Sequence, residues 1–270
     1  MTAPTARLSQ LEFVALIAMI MATVAFSIDA MLPALPAIAS ELSPGAPNRA
    51  QLIVTSFVLG MGLGTFVTGP LSDRFGRKPV MIAGAVIYCA AALIAWAAPT
   101  LETMLAARLM MGLGAAGPRV VAVALVRDIY SGRDMARIMS FVMLIFALVP
   151  ALAPSIGMII ITLAGWQAVF LAFVVFSGTT VVWLALRQPE TLTPARRRPL
   201  DFTSLWSATR EVLGHPTTRL SIIVQTLAMG MLFALISSTQ QIFDVTYGQG
   251  DYFHVWFGGI AILASSASLL

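Results

Sequence analysis

Charge is scarce in this chain. Asp, Glu, Lys and Arg make up 10% of its 270 residues, against about 25% in soluble globular domains. Cysteine is scarcer still: Cys89 stands alone, which excludes a disulfide framework within the chain. Cys89, His215 and His254 form no metal-ligand spacing, and no nucleophile elbow, phosphate-cradling glycine loop or zinc-binding helix occurs. These absences argue against an enzyme, a metal site or a bound cofactor. Hydrophobic residues, by contrast, reach 59% and the mean hydropathy is +0.89. The composition is that of an integral membrane protein. A pI near 9.8 does not point to nucleic acid, because the cations sit between apolar runs, where anionic headgroups and membrane orientation account for them.

The apolar runs predict an all-α, polytopic chain with spans near 11–33, 50–69, 79–98, 101–126, 137–163, 167–187 and 219–241, and the start of an eighth at 253–270. Apolar sequence continues past Ile28 and further spans follow, so the N-terminus is not read as a cleaved signal peptide. Alternate connections are basic. Arg7, the cations of 74–78, those of 127–137, Arg187, Arg196–Arg198, Arg210 and Arg219 fall on one side, 13 of the 16 Lys and Arg residues, and only Arg49 falls on the other. The positive-inside rule then places the N-terminus in the cytoplasm. Three units are expected: a six-helix bundle over 1–187, a proline- and arginine-rich linker over 188–218, and the opening of a second bundle over 219–270. Asp201 is positioned to cap a short linker helix. Phe202, Leu205, Trp206, Thr209, Val212 and Leu213 would share one face of that helix, lying on the inner leaflet. Small residues four apart (Gly60, Gly64 and Thr68; Gly112 and Ala116; Ala147, Ala151 and Ser155) mark close helix packing.

The most informative stretch is Gly69-Pro-Leu-Ser-Asp-Arg-Phe-Gly-Arg-Lys-Pro79, a charged elbow between the second and third spans. Gly69, Leu71, Ser72, Asp73, Arg74, Gly76, Arg77 and Lys78 resemble the loop between helices 2 and 3 of the major facilitator superfamily. Ser27-Ile-Asp-Ala-Met-Leu-Pro-Ala-Leu-Pro36 further resembles the end of helix 1 in drug–proton antiporters of the bicyclomycin-resistance and chloramphenicol-exporter (Bcr/CflA-like) group. Arg108-Leu-Met-Met-Gly-Leu-Gly-Ala-Ala-Gly117 is similar to the superfamily's helix-4 pattern. Pro150, Pro154 and Gly157 are similar to part of the antiporter helix-5 signature, with Val149, Ala153 and Met158 standing where that signature has glycine. The resemblance covers 11–187 through several motifs and runs more loosely to 270.

Asp29 is the only acid deep inside a span, 17 residues beyond Glu12, or about 25 Å of helix. Such groups pair, face a cavity or bind protons; the other reading is a headgroup-level acid with a structural partner. Arg108 falls at comparable depth, about 13 Å below the outer edge, so the two are expected to face one central cavity. The resemblance implies proton and substrate coupling at Asp29 and Arg108. It also implies a charge cluster of Asp73, Arg77 and Asp128 that latches the outward-open state, and the alternative is three independent loop charges. Arg119 lies outside the superfamily pattern. It either snorkels to the surface or lines the cavity, where a second cation would disfavour polycationic cargo.

The function implied is proton-coupled efflux of small drug-like molecules by alternating access across the inner membrane, with protons, small-molecule substrate and lipid as partners, no nucleic acid, no cofactor, and a monomer at full length. Uptake driven by protons or sodium on the same fold, and a non-transporting membrane partner, are the alternatives. The second six-helix unit is expected to be incomplete within these 270 residues, so the chain alone is expected not to drive efflux.

Overall fold

The computed structural model describes residues 8–267, so Arg7 lies outside the described residues. Among the described residues ten α-helices follow one another and no strand occurs, and seven helical segments are long and apolar enough to cross a membrane.

Helix α1 (Gln10–Asp29) starts at Ser9, whose hydroxyl accepts from the Glu12 amide at 3.2 Å. This satisfies one of the orphan donors of the first turn. A 3-10 turn (Leu32–Ala34) and α2 (Leu35–Leu42) carry the helical path on, nine residues beyond the sequence limit of 33. Pro33 and Pro36 mark that limit as a break. Each occupies a first-turn position, where the missing N–H has no intrahelical partner to lose.

The elbow is also shorter than its sequence suggests. Helix α3 (Leu52–Phe75) runs through Pro70 and the first half of the charged stretch, and α4 (Arg77–Trp96) begins after a single intervening residue. Only Gly76 breaks the path, with φ 109°, a conformation that costs glycine little and other residues much. Gly69, by contrast, has open space where a side chain would go.

Helices α5 (Leu101–Ile129), α6 (Gly132–Ala164) and α7 (Ala168–Arg187) complete the first six spans. α6 stays helical through Pro150 and Pro154. α1 and α5 form the interior, with α3 and α4 against α5, α7 against α4, and α6 against α1. Close approach depends on glycine. A Cβ at Gly60 would meet the Leu109 carbonyl, and one at Gly112 would meet the Phe57 carbonyl, so α3 and α5 touch backbone to backbone. A Cβ at Gly157 would strike the carbonyl of Ala30, bringing α6 against α1 beside Asp29.

Two apolar clusters fill the bundle. One, at the elbow end, centres on Phe13, Ile17, Met81, Val126, Ile138 and Leu184. The other, toward the opposite end, centres on Phe57, Met104, Phe170 and Phe173. The buried polar residues Thr23, Ser27, Arg108, Ser177 and Thr180 belong to neither cluster.

In the linker, α8 (Phe202–Gly214) is capped by Asp201, which accepts from the Thr203 amide at 3.0 Å. Trp206, Val212 and Leu213 are exposed on it, while the side chains of Phe202 and Leu205 lie outside those described. Helices α9 (Pro216–Gln241) and α10 (Phe253–Ala267) follow, and α10 packs on α6.

Candidate functional site

Arg108 is fully buried, at 0% exposure. Its Nη2 donates to the Ser27 carbonyl at 3.0 Å and its Nε to the Ile53 carbonyl at 3.3 Å, while the guanidinium lies 4.5 Å over the Phe57 ring. Two backbone carbonyls and a π face thus stand where an acid would be expected. Ser27 carries more than that bond: its hydroxyl donates to the Thr23 carbonyl at 2.6 Å and meets the Tyr88 hydroxyl. Through Ser27, α1, α4 and α5 are joined at one level.

Asp29 sits two residues farther along α1, about 3 Å of rise. It is 5% exposed and, among the described residues, makes no hydrogen bond and no ion pair. Asp29 and Arg108 therefore occupy adjoining turns of the same interface without pairing. Arg119 is exposed on α5, its Nη1 directed at Met61 Sδ at 3.5 Å. Pro154 and Gly157 are buried where α6 meets α1, and Pro150 is half-buried.

At the elbow, Arg77 gathers three helices. Its Nη1 donates to Asp73 Oδ1 at 2.5 Å and to Ser72 Oγ at 2.7 Å, and its Nε donates to Asp128 Oδ2 at 3.0 Å. Asp73, Arg77 and Asp128 are thus one cluster. Arg74 points outward, over the neighbouring Phe75 ring, and Lys78 Nζ donates to the Ala185 carbonyl near the end of α7 at 2.6 Å.

Sequence reading missed Glu190. Its Oε1 accepts from the Arg77 amide and its Oε2 from the Lys78 amide, each at 3.0 Å. A residue 113 positions away in sequence thereby caps the start of α4 and complements the helix dipole. A Cβ at Gly76 would also lie 2.5 Å from Glu190 Oε2 and would push that carboxylate off the amides it caps. The neighbouring Thr191 hydroxyl donates to Asp128 Oδ2 at 3.0 Å, and the Arg198 amide donates to the Asp73 carbonyl at 3.0 Å. The one available signal was composition: Glu190 is the sole acid between Arg187 and Arg198. Glu190→Ala is expected to cost about 1–2 kcal/mol, as for other lost helix caps. Hydrogen exchange at the Arg77 and Lys78 amides should rise about tenfold, with Glu190→Gln falling between.

Comparison with known proteins agrees with this architecture. A family model described as Major Facilitator Superfamily matches residues 15–270. An uncharacterized MFS-type transporter of Bacillus subtilis is 30% identical over 249 residues, 89% of this chain and 61% of that protein. A bicyclomycin resistance protein homolog of Haemophilus influenzae is 31% identical, covering 83% of this chain and 56% of that protein. The multidrug resistance protein MdtL of Salmonella typhi is likewise 31% identical, over 83% and 57%. The chain thus spans somewhat more than half the length of these relatives. Among solved structures, the human organic anion transporter MFSD10 superposes with a TM-score of 0.71 at 19% identity, over 94% of this chain and 71% of that one. A D-xylose–proton symporter superposes with a TM-score of 0.68 at 13% identity, over 96% and 67%. The six-span bundle, the elbow cluster and the family match over nearly the whole sequence lead to one assignment: this multi-pass membrane chain belongs to the Major Facilitator Superfamily.

Proposed function

We propose that this chain forms the first half, and the opening helices of the second half, of a carrier that exports small drug-like molecules in exchange for protons. The observation that carries the reading is Asp29: a carboxylate 5% exposed in an apolar helix, without a hydrogen bond or ion pair among the described residues. An intramembrane acid so placed is a functional group by default, because its charged form is expensive unless something partners it. A proton or a cationic substrate is such a partner, and one displaces the other. Arg108, held by the Ser27 carbonyl, keeps a fixed positive charge beside that exchange.

The N-terminus and the elbow lie on the cytoplasmic side of the inner membrane, with 1–187 as one rocking unit, 188–218 as its linker and 219–270 as the start of the other. The Asp73–Arg77–Asp128 cluster holds the cytoplasmic ends of the first unit together while the far side is open. α8 rests on the inner leaflet, and the carrier works as a monomer. The relatives named for bicyclomycin and multidrug resistance favour export over uptake. Arg119, a second cation on α5, selects against polycationic cargo.

The test is drug-induced proton release in everted vesicles carrying the full-length gene product. Asp29→Asn should abolish drug-driven collapse of the pH gradient while leaving substrate exchange in the absence of a gradient. Coupling at the wild-type level in Asp29→Asn would remove the proton role, and drug entry in the direction of proton flow would make the protein an uptake carrier.

A further inference from the structure

Helix α9 buries two residues only among those described, Ser237 and Gln240. Both are polar, and at i and i+3 they share one face. Neither side chain makes a hydrogen bond among the described residues, although Gln240 is 5% and Ser237 9% exposed. Their polar atoms are not sealed, however: among the described residues the buried polar atoms without a partner are Ser43 Oγ and His254 Nδ1, so the Ser237 hydroxyl and Gln240 amide stay open to the space beside the helix and free to meet a ligand there.

Both face a cavity of about 380 Å³ at the end of the bundle opposite the elbow, a size in the range of small-molecule sites. Leu35, Pro36, Pro44 and Ala50 supply its apolar wall from the first-span extension and the turn that follows. The adjoining Gln241 is already committed. Its Nε2 donates to Asn48 Oδ1 at 2.6 Å and its Oε1 accepts from Gln51 Nε2 at 2.5 Å, which fixes α9 against the 47–51 turn. Asp244 also lines the cavity. It is exposed, and its carboxylate has no cation partner among the described residues.

We propose that this cavity is a ligand site separate from Asp29 and Arg108, and that it takes a small amphiphilic amine. The protonated nitrogen pairs with Asp244, Gln240 and Ser237 supply donor and acceptor groups, and the apolar body lies on Leu35, Pro36 and Pro44. The proposal rests on the fold and not on the coupling role of Asp29.

Monodansylcadaverine, a primary amine on an apolar fluorophore, is the probe, titrated against the chain in phosphatidylcholine nanodiscs with empty discs as blank. Saturable binding is expected. Gln240→Leu should weaken it about tenfold, the equivalent of one lost hydrogen bond in a buried site. Asp244→Asn should remove the preference for the amine over its uncharged N-acetyl analogue, and Gln240→Glu should tighten amine binding. Binding no greater than in empty discs, or equal affinity in wild type, Gln240→Leu and Asp244→Asn, would overturn the proposal. If Gln240→Leu unfolds the chain, Gln240→Glu decides: unchanged or weaker amine binding in a folded Gln240→Glu protein also overturns it. Loss with Asp29→Asn but not with Gln240→Leu would move the amine to the coupling helix, and the site proposed here would fall.

Discussion

Gly112→Val is expected to leave almost no folded protein in the membrane. A Cβ at Gly112 would meet the Phe57 carbonyl, lie 2.7 Å from the Met61 amide nitrogen and 3.0 Å from Gly60 Cα. All three are backbone atoms of α3, so no side-chain rotation relieves the clash. The two helices would have to separate along the whole Gly60–Leu109 to Gly64–Ala116 contact, where a Cβ at Gly64 already falls 2.6 Å from Ala116 Cβ. Overpacking in a soluble core costs about 1–3 kcal/mol. A membrane bundle has less to offset it, because association between helices in lipid depends on van der Waals fit rather than on exclusion of water. A cost of about 3 kcal/mol or more is expected, enough to cut abundance well beyond the several-fold that 1–2 kcal/mol produces. Gly62→Ala is the control. It lies on the same helix α3 with nothing within 4 Å of its Cβ, and should stabilise by about 0.5–1 kcal/mol through helix propensity alone. Monodisperse protein recovered in mild detergent, compared across the two variants, separates packing from propensity. Equal recovery of Gly112→Val and Gly62→Ala would mean that α3 and α5 are not held at backbone contact.

The same glycines show how much the sequence makes legible. Hydropathy and small-residue spacing disclose the number of spans and the faces that meet, because both are local properties of one helix. Gly60, Gly64 and Gly112 are in that class. The elbow's triad was legible only through the resemblance to the superfamily's loop between helices 2 and 3, since three charges on separate helices share no local pattern. What stays hidden is whatever depends on a distant partner. Glu190 reads as one acid in a basic linker, and only the folded chain brings it to the amides of Arg77 and Lys78. Arg108 reads as a cation in search of an acid, whereas carbonyls of α1 and α3 receive it; a carbonyl is present at every residue and leaves no mark in sequence. Pro33 and Pro36 read as an end, although first-turn prolines let the helical path continue.

Arg77→Ala should cost about 3 kcal/mol, the lower end of the loss expected when one member of a buried ion pair is removed. The side chains of Arg77 and Asp128 are 10% and 14% exposed, while that of Asp73 is 44% exposed. Asp73 can rehydrate when the guanidinium is lost. Asp128 cannot to the same degree, and among the described residues it would keep only the Thr191 hydroxyl. Most of the penalty is therefore the stranded Asp128 charge, which makes the effect reversible: Asp128→Asn in the Arg77→Ala background should recover a large part of it. A double-mutant cycle on thermal unfolding in detergent should give an Arg77–Asp128 coupling above about 1 kcal/mol, as for residues sharing one buried network. Arg77→Lys should recover less than half of the loss, since the three N–H groups of an ammonium radiate from one nitrogen and cannot span Asp128 on one side and Asp73 with Ser72 on the other, as the separated Nε and Nη1 of the planar fork do. If the two substitutions instead prove additive, and lysine serves as well as arginine, the three residues act as independent surface charges worth about 0–1 kcal/mol per pair. The elbow would then orient the chain in the membrane without holding its helices together.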